Sequence, residues 1–217
     1  MPGKAIRMLG DKTLIEHSLN IAAQSELVDG YVVSTDSEKI IEVVKAAGYT
    51  IEFKRPDELA APHVGRVDAI KHAVKFMGDT HNEQFDIIVD LGVATPLKSV
   101  DDLEGCIRML VDEEADNIIS VVPSSRNPYY NMLEIVDGLV QKVKKFEKML
   151  SMRQKAPDVF DMNDAFNVWW HDNLFKENPL YSKNTMLFVM PRERSVDIDE
   201  EIDFCIADAV IQKLQEE

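Results

Sequence analysis

Cysteine, tryptophan, basic charge and long apolar runs are all in short supply in this chain, and each shortage excludes something. The two cysteines, Cys106 and Cys205, fit neither a disulfide framework nor a spaced metal pattern. Both sit in apolar, helix-like contexts, so buried reduced thiols are expected. No stretch approaches the roughly 18 consecutive apolar residues that a membrane-spanning helix needs. The opening Met1-Pro2-Gly3-Lys4 lacks the apolar stretch of a secretory leader. These absences predict a cytoplasmic location and no membrane partner. Lys and Arg number 24 against 39 Asp and Glu, a net charge of −15. That balance argues against a nucleic-acid surface, which needs basic patches. A nucleotide is not excluded, because it requires only a few local basic side chains and a divalent ion.

What is present points to an α/β fold. The 217 residues, 45% of them hydrophobic, suffice for one domain with a sizeable core. Strand-like stretches at Tyr31–Thr35, Thr50–Phe53, Phe85–Leu91, Asn117–Val122 and Met186–Met190 alternate with helical patterns. The helical patterns lie at Leu14–Ala22, Glu38–Ala47, Asp68–Met77, Asp101–Glu113 and Ile202–Leu214. Gly48 takes a C-cap role. Such alternation predicts βαβ units and a mostly parallel sheet. From Pro123 to about Asn178 the pattern changes, with a hairpin turning at Asp137-Gly138, then a loop, then the aromatic run Phe166–Trp170. Residues 123–178 are therefore expected to form a segment inserted into a single domain spanning 1–217.

The beginning of the chain is unusual for this class. It opens on the turn Pro2-Gly3-Lys4 and enters a helix directly, whereas a doubly wound sheet starts with a strand whose βα loop holds phosphates. Either the polypeptide starts earlier, or the chain is a rebuilt member of its class.

The densest chemistry lies in Arg194-Ser195-Val196-Asp197-Ile198-Asp199. In extended backbone, residues two apart share a face, so Asp197 and Asp199 point one way and Val196 and Ile198 the other. Paired carboxylates suit Mg²⁺, which is commonly held by one or two of them together with substrate phosphates. Acidic residues at the start of a helix are the alternative. Lys4 sits in a tight turn where it can neutralise phosphate, or lie free in solvent. Asp36 or Ser37 would cap the helix that follows. Arg55, ahead of Pro56, suits a pre-organised anion contact.

In order along essentially the whole chain come Pro2-Gly3-Lys4, Val33-Ser34-Thr35-Asp36-Ser37, Arg55-Pro56-Asp57-Glu58-Leu59-Ala60, Thr95-Pro96-Leu97-Lys98 and Arg126-Asn127-Pro128-Tyr129. Arg153-Gln154, Asp161-Met162-Asn163 and Met190-Pro191-Arg192-Glu193-Arg194-Ser195-Val196-Asp197-Ile198-Asp199 complete the set. This ordered set resembles the acylneuraminate cytidylyltransferases, the CMP-sialic acid synthetases. The resemblance implies a Rossmann-like nucleotidyltransferase fold and transfer of CMP from CTP to the anomeric hydroxyl of a nonulosonic acid sugar, with release of pyrophosphate. It implies catalytic roles for Asp197, Asp199 and Lys4, Mg²⁺ on the two aspartates, and CTP contacts from Lys4 and Arg55. Sugar contacts are implied for Arg153, Gln154 and Asn163, although Arg153 also fits plain surface and Asn163 a turn. Phe160, Phe166, Trp169 and Trp170 fit core or dimer contact better than a stacking platform. A homodimer follows from the same resemblance, the insert of one subunit completing the sugar pocket of the other.

The chain also departs from that pattern. The Ala-Arg-Gly-Gly-Ser-Lys-like phosphate loop has no counterpart, and Ala5 replaces an asparagine. Gly92-Val93-Ala94-Thr95-Pro96-Leu97-Lys98 replaces Gln-Pro-Thr-Ser-Pro-Leu-Arg, and Asn167 replaces an aromatic. Two alternatives follow: a truncated, catalytically impaired homologue acting as a binding or assembly partner, and a 3-deoxy-manno-octulosonate cytidylyltransferase.

Overall fold

A computed structural model describes residues 3–61, 63–144 and 156–216. Two short strands, β1 (Met8–Leu9) and β2 (Lys12–Thr13), pair antiparallel near its start, and its centre is a mixed sheet of β3 (Ile87–Leu91), β7 (Phe160–Trp170), β4 (Asn117–Pro123) and β8 (Thr185–Val189), in that spatial order. β7 pairs antiparallel with both β3 and β4, and β4 pairs parallel with β8. Three strands thus run one way and β7 runs against them. The mostly parallel expectation holds for strand direction, while the sheet itself is mixed.

Helices close the layers. α1 (Leu14–Gln24) opens on a capping box in which Thr13 and Glu16 satisfy each other's backbone N–H groups. α4 (Val100–Asp112) opens on the same device built from Ser99 and Asp102. α4 packs on the sheet through Leu103, Cys106, Ile107 and Leu110, against Ile118, Phe166 and Val168. α3 (Arg66–His81) covers the opposite face, where Val74 meets Trp169 and Leu174, the latter from α5 (His171–Leu174). α2 (Glu38–Ala46) ends at Gly48, in left-handed backbone as expected for a C-cap. Of the two cysteines, Cys106 is buried as expected and Cys205, on α6 (Glu201–Glu216), is exposed.

Three expectations need correction. Tyr31–Thr35 and Thr50–Phe53 are extended but join no ladder. Their apolar side chains find a core, with Val33 against Ile15, Leu19 and Val44. Their backbones do not find a neighbouring strand among the described residues, and Arg55 N–H donating to Thr35 carbonyl (2.9 Å) links the two stretches. The inserted segment is also shorter than 123–178. Phe160–Trp170 returns as a central strand, with Phe166 and Trp169 fully buried, so the insertion ends before β7. Within it, β5 (Leu133–Val136) and β6 (Leu139–Lys142) form the expected hairpin. Asp137 and Gly138 both have positive φ, the two-residue turn that matches strand twist.

The loop after β3 meets β7 at close quarters. Between the pairs Ile119–Asn167 and Val121–Met162 the β4–β7 register shifts, and Asp164 in this bulge is left-handed at φ 51°. Gly92 N–H donates to Ala165 carbonyl (3.0 Å). A Cβ at Gly92 would fall 1.8 Å from the Asp164 carbonyl oxygen, so no side chain fits without moving backbone. Gly92→Ala is expected to lower stability by about 3 kcal/mol or more, at the upper end of overpacking costs, read by chemical denaturation.

Candidate active site

Asp197 and Asp199 lie in irregular backbone just before α6, with a bend at Asp199, and not in a ladder strand. The alternation nevertheless works as the sequence indicates. Ile198 is wholly buried among Leu9, Leu14, Leu97, Phe204 and Ala207, and its N–H donates to Ala94 carbonyl at 2.8 Å. Burying that one side chain leaves Asp199 exposed to solvent and Asp197 half-buried beside it. The task of starting the acidic helix falls to Asp203, whose Oδ2 accepts from the N–H groups of Asp199 (2.9 Å) and Glu200 (2.7 Å). Asp197 and Asp199 are thereby released from capping duty.

Lys4 comes from the 3₁₀ turn Lys4–Ile6, which follows left-handed Gly3. Its Nζ donates to Asp199 Oδ1 and to Ile198 carbonyl, each at 2.9 Å. Arg7 reinforces the docking through a two-pronged contact with Glu201 (2.6 and 2.7 Å) and lies over the Phe204 ring at 3.9 Å. The hydrogen bond from Lys4 holds the Asp199 carboxyl below its ordinary range. Asp197 behaves oppositely. Burial first, and then the charge of Asp199, push its carboxyl up, and its buried Oδ1 has no hydrogen-bond partner among the described residues.

This donor set fits a hard divalent cation. One carboxylate is exposed and charged, and the other keeps an orphaned oxygen in a half-buried position that a cation would satisfy. Among the described residues no group of three or more His, Cys, Asp or Glu is arranged as a metal cage. Mg²⁺ does not require one, because it usually retains water and takes the remaining ligands from phosphate.

The other sequence-derived residues are dispersed. Arg55 lies at the far end of the extended pair, its Nη2 donating to Asp36 Oδ1 at 2.6 Å. Asp36 is therefore the arginine's partner and not a helix cap. Ser37 occupies the N-cap position of α2 without a side-chain cap bond. Arg55 Nε is buried without a hydrogen-bond partner among the described residues, which leaves a donor for an anion. Arg153 and Gln154 fall outside the described residues.

Asn163 is 2% exposed and spends its amide inside the protein. Its Oδ1 accepts from Ser120 Oγ (2.6 Å) and Ala165 N–H (3.2 Å), and its Nδ2 donates to Ser195 Oγ (2.9 Å) and reaches Met190 Sδ (3.3 Å). The role this geometry gives it is to hold the segment that leads into the carboxylate pair.

Several residues that matter here are not evident from sequence. Arg194 Nε and Nη2 grip both oxygens of Asp102 at 2.7 and 2.9 Å, clamping the approach to Asp197 onto the start of α4. Burial opposes ionisation of Asp102, yet hydrogen bonds from Arg194 and Ser99 outweigh it and hold the carboxyl low. Lys98 is buried against Ser18 Oγ and the carbonyls of Gly92 and Thr95, and burial lowers its pKa to about 7. Arg66, Asp90, Asp164 and Asn167 line a separate cavity of about 120 Å³. The one sequence signal for these four is Asp90, a polar residue inside the otherwise apolar strand β3.

Residues 1–211 match the cytidylyltransferase family, so the chain belongs to it. It is 33% identical over 210 residues to post-translational flagellin modification protein B of Campylobacter coli, covering 97% of this chain and 88% of that protein. It is also 33% identical over 208 residues to the CMP-N,N'-diacetyllegionaminic acid synthase of Campylobacter jejuni, covering 96% and 88%. Among solved structures, CMP:2-keto-3-deoxy-manno-octonic acid synthetase complexed with CTP superposes with a TM-score of 0.67 at 16% identity, covering 100% of this chain and 94% of that one. At that identity it supports the fold alone.

Arg194→Met should cost about 3 kcal/mol of stability in denaturant, because it strands a buried carboxylate. A carboxyl held low in the folded state contributes stability above its ordinary range and loses it as pH falls through the depressed value. Between neutral pH and that acid range the parent should therefore lose stability faster than the variant, narrowing the gap between them.

Proposed function

We propose that this chain moves CMP from CTP to the anomeric hydroxyl of a nonulosonic acid of the legionaminate class and releases pyrophosphate. The observation that carries the reading is the Asp197/Asp199 pair, with its orphaned buried oxygen, in a chain of the cytidylyltransferase family. The name of one of the two 33% identical relatives, the CMP-N,N'-diacetyllegionaminic acid synthase, supports the choice of sugar over its octulosonate counterpart. A cytoplasmic location, where CTP is made, belongs to the same reading.

Mg²⁺ held by Asp197 and Asp199 would neutralise phosphate charge and polarise the acceptor hydroxyl. The chain's own residues do the rest. Lys4 shares the charge of Asp199 and, once phosphate arrives, offers an ammonium to it. Ile198 fixes the carboxylates on rigid backbone, so little reorganisation is required at the moment of reaction. Arg55 presents its unused Nε to the nucleotide, while Arg153 and Gln154 supply sugar contacts. Because Asp197 holds its proton to a higher pH than a free aspartate, protons compete with the cation, and metal affinity falls as the solution is acidified.

The test is CTP-dependent pyrophosphate release with N,N'-diacetyllegionaminate and Mg²⁺. Asp197→Asn and Asp199→Asn should each lower kcat at least about 100-fold, the scale of losing one electrostatic stabiliser of the transition state, with unchanged circular dichroism. Absence of pyrophosphate release from the parent chain with this sugar overturns the proposal.

A homodimer belongs to the same proposal. The β5–β6 hairpin exposes Ile135 (75%) and Leu139 (74%), and Leu133 and Val140 are exposed as well. An isolated two-stranded ribbon is marginal in water, and a contiguous exposed apolar patch marks an interaction surface. Ile135 and Val140 are paired and share a face of the ribbon, so the double variant Ile135→Asp/Val140→Asp should sediment as a monomer where the parent sediments as a dimer.

A further inference from the structure

Beside the carboxylate pair lies a second polar feature that the chemistry of CMP transfer does not use. Asp90 on β3 and Asn167 on β7 are directly opposed in the ladder, so their side chains share a face of the sheet. Two residues further along the same face stand Ile88 and Trp169, which are paired in the same way. They pack with Val67, Ile70 and Leu180. The apolar floor thus gives way to a polar rim toward the carboxyl end of β3, the end at which open α/β sheets bind ligands.

The rim is unsatisfied. Asn167 is 4% exposed, yet its Oδ1 has no hydrogen-bond partner among the described residues. Asp90 Oδ2 is in the same condition. Arg66 Nε reaches it only as an ion pair, at 2.7 Å. Arg66 Nη1 lies 3.6 Å from Asp164 Oδ1, and Asp164 follows Asn163, whose Nδ2 donates at 2.9 Å to Ser195 Oγ, two residues before Asp197. This cluster therefore adjoins the site of transfer. Burial holds the Asp90 carboxyl above its ordinary range despite the arginine. A buried amide oxygen without a donor, a buried carboxylate reached by one ion pair, a guanidinium with donors to spare and an apolar floor surround a single cavity of about 120 Å³. That is small beside the roughly 300–1,000 Å³ of sites that enclose whole small molecules, so it suits one substituent.

We infer that this cavity is a specificity subsite that reads one N-acyl group of the acceptor sugar, with Asn167, Asp90 and Arg66 as its readers; this rests on the reading given under Proposed function. The amide N–H of the substituent donates to Asn167 Oδ1 or Asp90 Oδ2, its carbonyl accepts from Arg66, and its methyl lies on Trp169, Met162 and Leu180. A carboxamide pairs with a carboxamide in either orientation, so the match survives a turn of the Asn167 amide. A hydroxyl in place of the N-acyl group is too short to satisfy both sides and leaves buried polar atoms unpaired, the circumstance in which sites discriminate most strongly.

The experiment uses three sugars: N,N'-diacetyllegionaminate and the two analogues in which the acetamido group at C5 or at C7 is replaced by hydroxyl. Pyrophosphate release gives kcat/KM for each. The parent chain should prefer the diacetyl sugar over one of the two analogues by at least about tenfold, one lost buried hydrogen-bond pairing. In Asn167→Leu, which keeps the volume and removes the amide, that ratio should fall to within about twofold of one, with the KM for CTP unchanged. Arg66→Gln, at the exposed start of α3, should produce the same collapse and serves if Asn167→Leu does not fold. A preference that persists in both variants, or that is absent in the parent, overturns the inference and leaves the cytidylyltransferase reading standing. No release with any of the three sugars overturns that reading, and this one falls with it.

Discussion

The position of the Asp197 and Asp199 carboxylates depends on one amide. Asn163 sits where β7 bulges away from β4, and its hydrogen bonds reach three separate segments: Ser120 on β4, Ala165 in the bulge, and Ser195 just ahead of Asp197. Its own carbonyl accepts from Thr95 Oγ1 at 2.6 Å, adding the loop after β3. Bulges beside sites re-aim side chains, and this one does so by fixing a loop and a hairpin of chain around a single buried side chain. The segment bearing Asp197 is then held at two further points. Arg194 grips Asp102 behind it, and Ile198 inserts into the core ahead of it. Satisfied buried polar networks rigidify a unique arrangement, which is what a two-carboxylate site needs if it is to present its oxygens without reorganising.

Electrostatics divides this region into halves with different tasks. On the carboxylate side, Asp197 and Asp199 repel each other, and Lys4 compensates Asp199 more than Asp197. The imbalance leaves Asp197 as the group with most to gain from an incoming cation. On the strand side, Asp90 and Asp164 flank Arg66, two carboxylates to one guanidinium, and the buried amide oxygen of Asn167 lacks a hydrogen bond. In a protein with a net charge of −15, each basic residue drawn into these clusters answers a specific carboxylate. Anionic substrates are therefore attracted locally, against the overall field.

What could be read from the sequence follows from interactions that are local in the chain. The alternation of Val196, Asp197, Ile198 and Asp199 has a period that backbone geometry enforces, and burial of Ile198 realises it. The Asp137-Gly138 turn and the Gly48 cap depend on positive φ, which residue type announces. The failures concern partners distant in sequence. Tyr31–Thr35 has the apolar content of a strand, but strand status requires a neighbouring ladder, which composition does not encode. Asn163 reads as a turn or a ligand contact because its partners at Ser120 and Ser195 are known only after β4 and β7 have paired. Phe160–Trp170 reads as part of an insertion because the change of pattern at Pro123 continues past the point where the chain re-enters the sheet.

The same argument explains why Asp90 and Asn167 carry more information together than apart. Either one alone is a polar residue in an apolar strand, which has many structural explanations. Only the β3–β7 register sets them opposite each other, and only α3 brings Arg66 over them. Once they are juxtaposed, the cost of leaving the buried Asn167 oxygen unpaired must be offset by something. Water can satisfy it in the empty protein, but a ligand that supplies both a donor and an acceptor displaces that water without loss. On the reading proposed above, the carboxylate pair would determine what reaction this chain supports, and the strand pair what shape of sugar it accepts. Both pairs flank the single bulge at Asn163–Ala165, so on that reading one local distortion of the sheet would serve reaction and recognition together.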